Sequence, residues 1–339
     1  VLAAEYEDHK KPSSKGEGDE VVPVISVTSE VSALSIEEAG APAAAATAPI
    51  GHELGRRLDD LTRASTVAPL DESVLFELPR GMKIDQLLEW DLDFLSFTGT
   101  ELMQIAANIF RHSGTLETFR VRTDTLANFL AEVCGRYRPN PYHNFNHGVH
   151  VMQGAYIHAC MGTGDQAESL SQLELFALLT AAIGHDVEHP GVTNAFLTKT
   201  AAPLAIQYND ISVLESHHSA TTFHILRKPG CGLMNNLDEQ QRHKMRELMI
   251  AMVLATDMAH HNTMVAELSQ HAAGHVAMPP VAVLRAFCHV ADLGNVVLRE
   301  DLAEQWAVAV GAEAVSQTVE EQRLGIALPN AKLDDYTRE

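Results

Sequence analysis

The chain has 339 residues, 46% of them hydrophobic, with 45 acidic against 24 basic side chains and a formal net charge of -21. That apolar content supports a substantial buried core, enough for one large helical domain with a tail or for two ordinary domains. The negative balance argues against a nucleic-acid-binding surface, which needs a basic face, and it would repel an anionic substrate unless bound cations neutralised the site.

Residues 1 to about 72 read as a disordered acidic and Ala-rich tail, with a charged run at 10–20 and the low-complexity stretch 41–49. Val1 is not an initiator Met and residues 1–30 hold no apolar signal core, so the sequence reads as a fragment whose missing parts could add targeting. From Leu75 onward apolar residues recur three and four apart. Helices are predicted at 84–97, 100–110, 123–137, 147–160, 173–183, 192–198, 212–226, 238–254, 262–270, 281–298 and 303–310. Thr123 or Asp124 is the expected cap of the third, and Asp210 or Ser212 that of the seventh. Pro139, Pro141, Pro190, Pro229, Pro279 and Pro280 fall between segments, and no alternating strand pattern follows Leu75. The expected fold is all-α, without internal repeats. No run of about 18 apolar residues exists to cross a membrane. Cys134, Cys160, Cys231 and Cys288 are widely spaced without a CxxC pair, which disfavours a disulfide framework and suits a reducing, cytoplasmic setting.

Fifteen of the eighteen histidines lie between His143 and His289, a concentration that favours a site. His143 and His147, four apart, would share a helix face; the bland alternative is a helix start with incidental histidines. His185, Asp186 and His189 close an apolar helix, where unpaired ionisable groups would be costly. An imidazole and a carboxylate side by side suit zinc, magnesium or manganese and point to a metal-dependent hydrolase; the bland alternative is a satisfied polar network. Glu215, His217 and His218 sit inside a predicted helix, where a role orienting ligands or metal-bound water would account for them. Asp257 and Asp292 each follow an apolar run, and a lone Asp of that kind is more often a cap or ion-pair partner than a ligand.

In order, these clusters spell HNxxH, HDxxHxGxxN, YNDxSxLExHH, ATDMxxH and ADLxN, and over about residues 75–339 the chain resembles the catalytic domain of the class I 3′,5′-cyclic nucleotide phosphodiesterases. His-Asp alone would indicate only the wider HD-type phosphohydrolases. The resemblance implies that His147, His185, Asp186 and Asp292 hold a first metal, usually Zn2+. It implies that Asp186 also touches a second, usually Mg2+ or Mn2+, whose water cage meets His189, Glu215 and Thr256. His143 matches the general acid that protonates the leaving ribose oxygen, and Tyr142, Asn209 and Asp257 are expected to contact substrate. The cyclic nucleotide is the implied partner, a homodimer is allowed, and no nucleic acid polymer is expected. YRPNPYHNF, YNDISVLESHH and LATDMAHH are most similar to the cGMP-specific type-nine branch, which leaves the choice between cAMP and cGMP open. His150 stands where many members carry an acidic residue. Residues 320–339 resemble the stretch just before the purine pocket, so the glutamine that clamps the base is expected beyond Glu339, in a truncated C-terminal part. Two rival readings are an HD-type phosphohydrolase acting on other nucleotides, and a non-catalytic fragment.

Overall fold

The computed structural model describes residues 66–79, 81–161, 170–274 and 278–326, so residues 1–65 of the tail expected over 1–72 and the stretch 327–339 lie outside the described residues. Thirteen α-helices and no strand are found among them. They are α1 (Glu72–Leu75), α2 (Gly99–His112), α3 (Thr115–Thr118), α4 (Thr123–Arg136), α5 (Phe145–Met161), α6 (Gln172–Gly184) and α7 (Asn194–Lys199). After these come α8 (Pro203–Gln207), α9 (Val213–Leu226), α10 (Glu239–Leu254), α11 (His261–Gly274), α12 (Pro280–Asp292) and α13 (Glu300–Leu324). The all-α expectation holds.

Helix α6 lies at the centre. Every residue from Phe176 to Gly184 is buried, as an apolar surface running all round a helix demands, and α6 packs on α5 and α10 while α12 lies against the same two. Its start is fixed by a capping box: the Ser171 hydroxyl accepts from the Glu174 N–H, and the Glu174 carboxylate accepts from the Ser171 N–H at 2.8 Å. Thr98 with Glu101 and Asp238 with Gln241 open α2 and α10 in the same way. At the other end of α6, Gly184 leaves room for Thr222 of α9, whose hydroxyl donates to the Gly184 carbonyl at 3.1 Å. A methyl group on Gly184 would lie 2.5 Å from that hydroxyl.

Several predicted elements differ from the observed ones, each for a local reason. The helix predicted at 84–97 is two 3-10 turns, Ile84–Leu88 and Phe94–Ser96. Side chains of α5 take the carbonyls a helix would have used: Gln153 donates to Leu87 and Glu89, and Asn146 to Phe94 and Phe97. The segment predicted at 281–298 is helical only to Asp292 and then tightens into a 3-10 turn, Gly294–Val297. Helix α13 runs well past 303–310 because Gly311 sits on an exposed face that tolerates it, and it stops only at Gly325, whose φ is 66°. Neither Thr123 nor Asp124 caps α4: the cap position is Arg122, whose guanidinium pairs with Asp124. Ser212 does occupy the cap position of α9, but with φ 40° and its hydroxyl donated to Asp257 Oδ2 at 2.7 Å rather than to the helix.

Candidate metal centre and catalytic cleft

His143 lies in the turn before α5, because Pro139 and Pro141 hold the chain out of helical geometry there. The expectation that His143 and His147 share a helix face is therefore corrected; only His147 is helical. Asn144 starts the helix by accepting the His147 N–H on Oδ1 at 3.2 Å. His185 occupies the C-terminal cap of α6, and His189 follows a turn closed by its own N–H on the Asp186 carbonyl at 3.0 Å. A shared helix face does not relate this pair either. Glu188, in left-handed geometry at φ 65°, anchors the turn: its carboxylate takes hydrogen bonds from Arg136 and from His217 at 3.0 Å.

Four side chains meet at the bottom of the cleft. His147 Nε2 lies 3.0 Å from Asp292 Oδ1 and 3.3 Å from Asp186 Oδ2. His185 Nε2 lies 3.2 and 3.1 Å from the same two oxygens. One donor atom from each of the four falls within 4.8 Å of the others, with both histidines fully buried. Such spacings match the edges of a coordination polyhedron with bonds of about 2.0–2.2 Å. The tautomer fits as well: His185 Nδ1–H donates to the Ala182 carbonyl at 2.7 Å, which leaves Nε2 as the ligand atom. A second group, Asp186 with His189 and His218, shares the Asp186 carboxylate with the first. His218 Nδ1–H donates to the Val187 carbonyl at 2.8 Å, so its buried, unpartnered Nε2 faces Asp186 Oδ1 at 3.6 Å. An orphaned acceptor beside a carboxylate is what a hydrated second cation would satisfy.

The charges reinforce one another. Burial alone would raise the two aspartates, but the positive charge of His185, joined at Asp186 by that of His143, holds both well below the carboxylate range. His189 is driven well below the ordinary histidine value by burial and the His143 charge, and burial takes His218 down to about 3. Two carboxylates held as anions beside imidazole nitrogens form a donor set for dications, which would take over the place of the His185 proton.

His143 stands at the mouth, its Nε2 4.0 Å from Asp186 Oδ2 and its ring stacked on His189 at 3.8 Å between centroids. Glu313 of α13 holds it. One carboxylate oxygen bonds His143 Nδ1, and the other accepts the backbone N–H groups of Tyr142 and His143, each at 3.1 Å. Burial pulls the His143 pKa down, yet Asp186, Glu313 and Asp292 outweigh it and raise the pKa above the ordinary value. Sequence reasoning missed Glu313. It lies mid-helix, twenty-one positions after Asp292, with no local motif around it.

The cleft has a volume of about 390 Å³, and Tyr142, His189, Glu215, Thr256 and Asp257 line it with the metal-nest aspartates. Glu215 accepts both its hydrogen bonds from Asn194 Nδ2, at 2.9 and 3.2 Å, and burial pushes it up to about 7. The Thr256 hydroxyl is spent locally on the Val253 carbonyl. Tyr142 donates to Asn295 Oδ1 at 3.2 Å, and Asp257 accepts from Ser212 and from the Ala259 N–H, which caps a short turn. Asn209 does not line the cleft: it is exposed, with φ 56°, in the turn that leads into α9. Gln317 does line it, joined to the far wall where its Oε1 accepts the Thr193 N–H at 2.8 Å.

A nest of two buried imidazoles and two carboxylates, open to a cleft that a carboxylate-held histidine overlooks, is the kind of arrangement that metal-dependent hydrolases use. A family model described as 3′5′-cyclic nucleotide phosphodiesterase matches residues 142–338, and the chain belongs to that family. A probable 3′,5′-cyclic-AMP phosphodiesterase, pde-4, of Caenorhabditis elegans is 34% identical over 261 residues, covering 74% of this chain and 37% of that protein. The 3′,5′-cyclic-AMP phosphodiesterase 4C of Mus musculus is 33% identical over 260 residues, covering 72% and 38%. The chain thus spans well under half the length of these curated relatives. A crystal structure of the phosphodiesterase domain of the RhoPDE fusion protein from the choanoflagellate Salpingoeca rosetta is 31% identical, with a TM-score of 0.68, covering 73% of this chain and 81% of that one.

Proposed function

We propose that this chain hydrolyses 3′,5′-cyclic nucleotides to 5′-nucleoside monophosphates with the help of two divalent cations. The reading is carried by one arrangement: a buried His147–His185–Asp186–Asp292 nest with His143 fixed by Glu313 beside it. His147, His185, Asp186 and Asp292 would hold Zn2+, and Asp186 would share a Mg2+ or Mn2+ whose water cage reaches His189, His218 and Glu215. When bound, the cations supply positive charge for the phosphoryl oxygens and lower the pKa of a water. They also answer the repulsion an anionic substrate meets from a chain of net charge -21.

The side chains supply the rest. His143, kept protonated by Glu313 and its neighbours, points a ring N–H into the cleft and delivers its proton to the departing ribose 3′-oxygen. Asp186 and Asp292 orient the attacking water. The named relatives make cAMP the first substrate to assay, and the three segments akin to the type-nine branch make cGMP the second. Four free cysteines support a reducing, cytoplasmic setting, and no helix among the described residues is long and apolar enough to cross a membrane.

The deciding experiment pairs metal analysis with turnover of cAMP and cGMP by the 339-residue chain. His143→Ala is expected to keep its metal and lose about 10²–10⁴-fold in kcat, whereas Asp292→Ala loses metal as well. Metal bound with neither cyclic nucleotide hydrolysed, even by a C-terminally extended chain, would overturn the reading, and equal metal loss in both variants would overturn the separation of roles.

A further inference from the structure

On the other side of α9 from Glu215 and His218 a second groove of about 350 Å³ opens between α9 and α10. Its floor is apolar, made by Ala220 and Phe223 of α9 with Ile250 and Leu254 of α10. Its rim is basic, formed by His224, Arg227 and Arg246. The Arg246 guanidinium lies over the Phe223 ring, 4.3 Å from the centroid, which leaves its edge N–H groups free to donate. No described carboxylate comes within ion-pairing distance of Arg227 or Arg246. Their neighbour Lys228 is paired with Glu132 at 2.6 Å, and Lys244 with Glu247 at 3.4 Å.

Among the described residues seven of the fifteen Lys and Arg side chains hold a salt bridge. Arg227 and Arg246 hold none, and they differ from the other unpaired cations in converging on one cavity with an apolar floor. An apolar floor beneath a cationic rim is complementary to an apolar side chain flanked by negative charge. A bare inorganic anion would meet the rim and leave the floor empty.

We propose that the α9–α10 groove binds acidic peptides that present one apolar side chain between carboxylates. The inference is independent of cyclic nucleotide hydrolysis, since none of the groove residues touches the metal nest. The apolar side chain sits on Ile250, Leu254 and Phe223, and the flanking carboxylates bridge Arg227 and Arg246.

The test is fluorescence polarisation of the full chain with a fluorescein-labelled peptide EEDLEE, beside EEDSEE and inorganic phosphate as competitor. Saturable binding with a Kd of about 10–100 μM is expected. It should weaken at least about tenfold in R227E/R246E, less in R227Q/R246Q, and fall with added salt. Both arginines are exposed, and an unchanged helical circular dichroism spectrum checks that each variant folds. The proposal is overturned if no saturation is reached by about 1 mM peptide, or if charge reversal leaves Kd unchanged. It is equally overturned if EEDSEE binds as well and millimolar phosphate displaces both, because the groove is then a simple anion site.

Discussion

His143 owes its position to a residue on another helix. Glu313 grips both the ring and the two backbone N–H groups around it, so it fixes orientation and charge together. Bound cations would neutralise Asp186 and Asp292, leaving Glu313 as the carboxylate that keeps His143 charged. The sign follows: Glu313 raises the His143 pKa, so its loss lowers that pKa and brings the alkaline fall in kcat to lower pH. Glu313→Gln is expected to cut kcat about 10–100-fold with metal content unchanged, and a pH profile of kcat checks the displaced limb. The nest residues were legible in the sequence because each sits in a local pattern of unlike neighbours, His-Asp above all. Glu313 was not, because a glutamate in the middle of a helix looks like any solvated one until the fold brings it to His143. Asn209 failed in the opposite direction. Its polar motif serves a left-handed turn, not the cleft.

Between helices, contacts are set by what small residues permit. Gly184 sits directly before His185, and its bare α-carbon lets Thr222 of α9 reach the end of α6. Gly184→Ala would bring a methyl group to 2.5 Å from the Thr222 hydroxyl, so α6 and α9 must separate. An overpacking loss of about 1–3 kcal/mol is expected, read as a lower denaturation midpoint. Metal affinity should drop with it, since His185 and Asp186 ride on the displaced backbone; titration with Mn2+ measures that second effect. Helix existence was readable from the period of apolar residues for α2, α4–α7 and α9–α13. The 3-10 turns at 84–88 and 94–96 were not, because the decisive hydrogen bonds come from Gln153 to the first and Asn146 to the second, each about fifty residues or more away in the chain.

Across the whole molecule, burying histidines in neutral form exacts a toll in acid. His150 is buried between Trp306 and Phe94, and burial lowers it to about 3. Below the ordinary histidine pKa of about 6.5 the unfolded chain takes a proton that the folded chain refuses. Stability contributed by the neutral ring is therefore whole above that pH and drains away as pH falls toward 3, by about 2 kcal/mol between pH 7 and pH 5. His150→Phe removes the group, so its melting temperature should fall less over that interval than the parent's. Thermal melts at both pH values check this; an identical fall would mean that other groups govern acid unfolding.

The spread of the nest along the chain sets a timetable for its assembly. From His143 to Glu313 is 170 positions, and Asp292 follows His147 by 145. At a ribosomal rate of about 5–20 residues per second, roughly ten to thirty seconds separate the emergence of the acid from that of its partner. On the proposed assignment of roles, a nascent chain lacks one of the four ligands until α12 leaves the ribosome, and its proton donor is unaligned until α13 follows. Metal uptake would then wait for a nearly complete fold, and partial chains would stay catalytically silent.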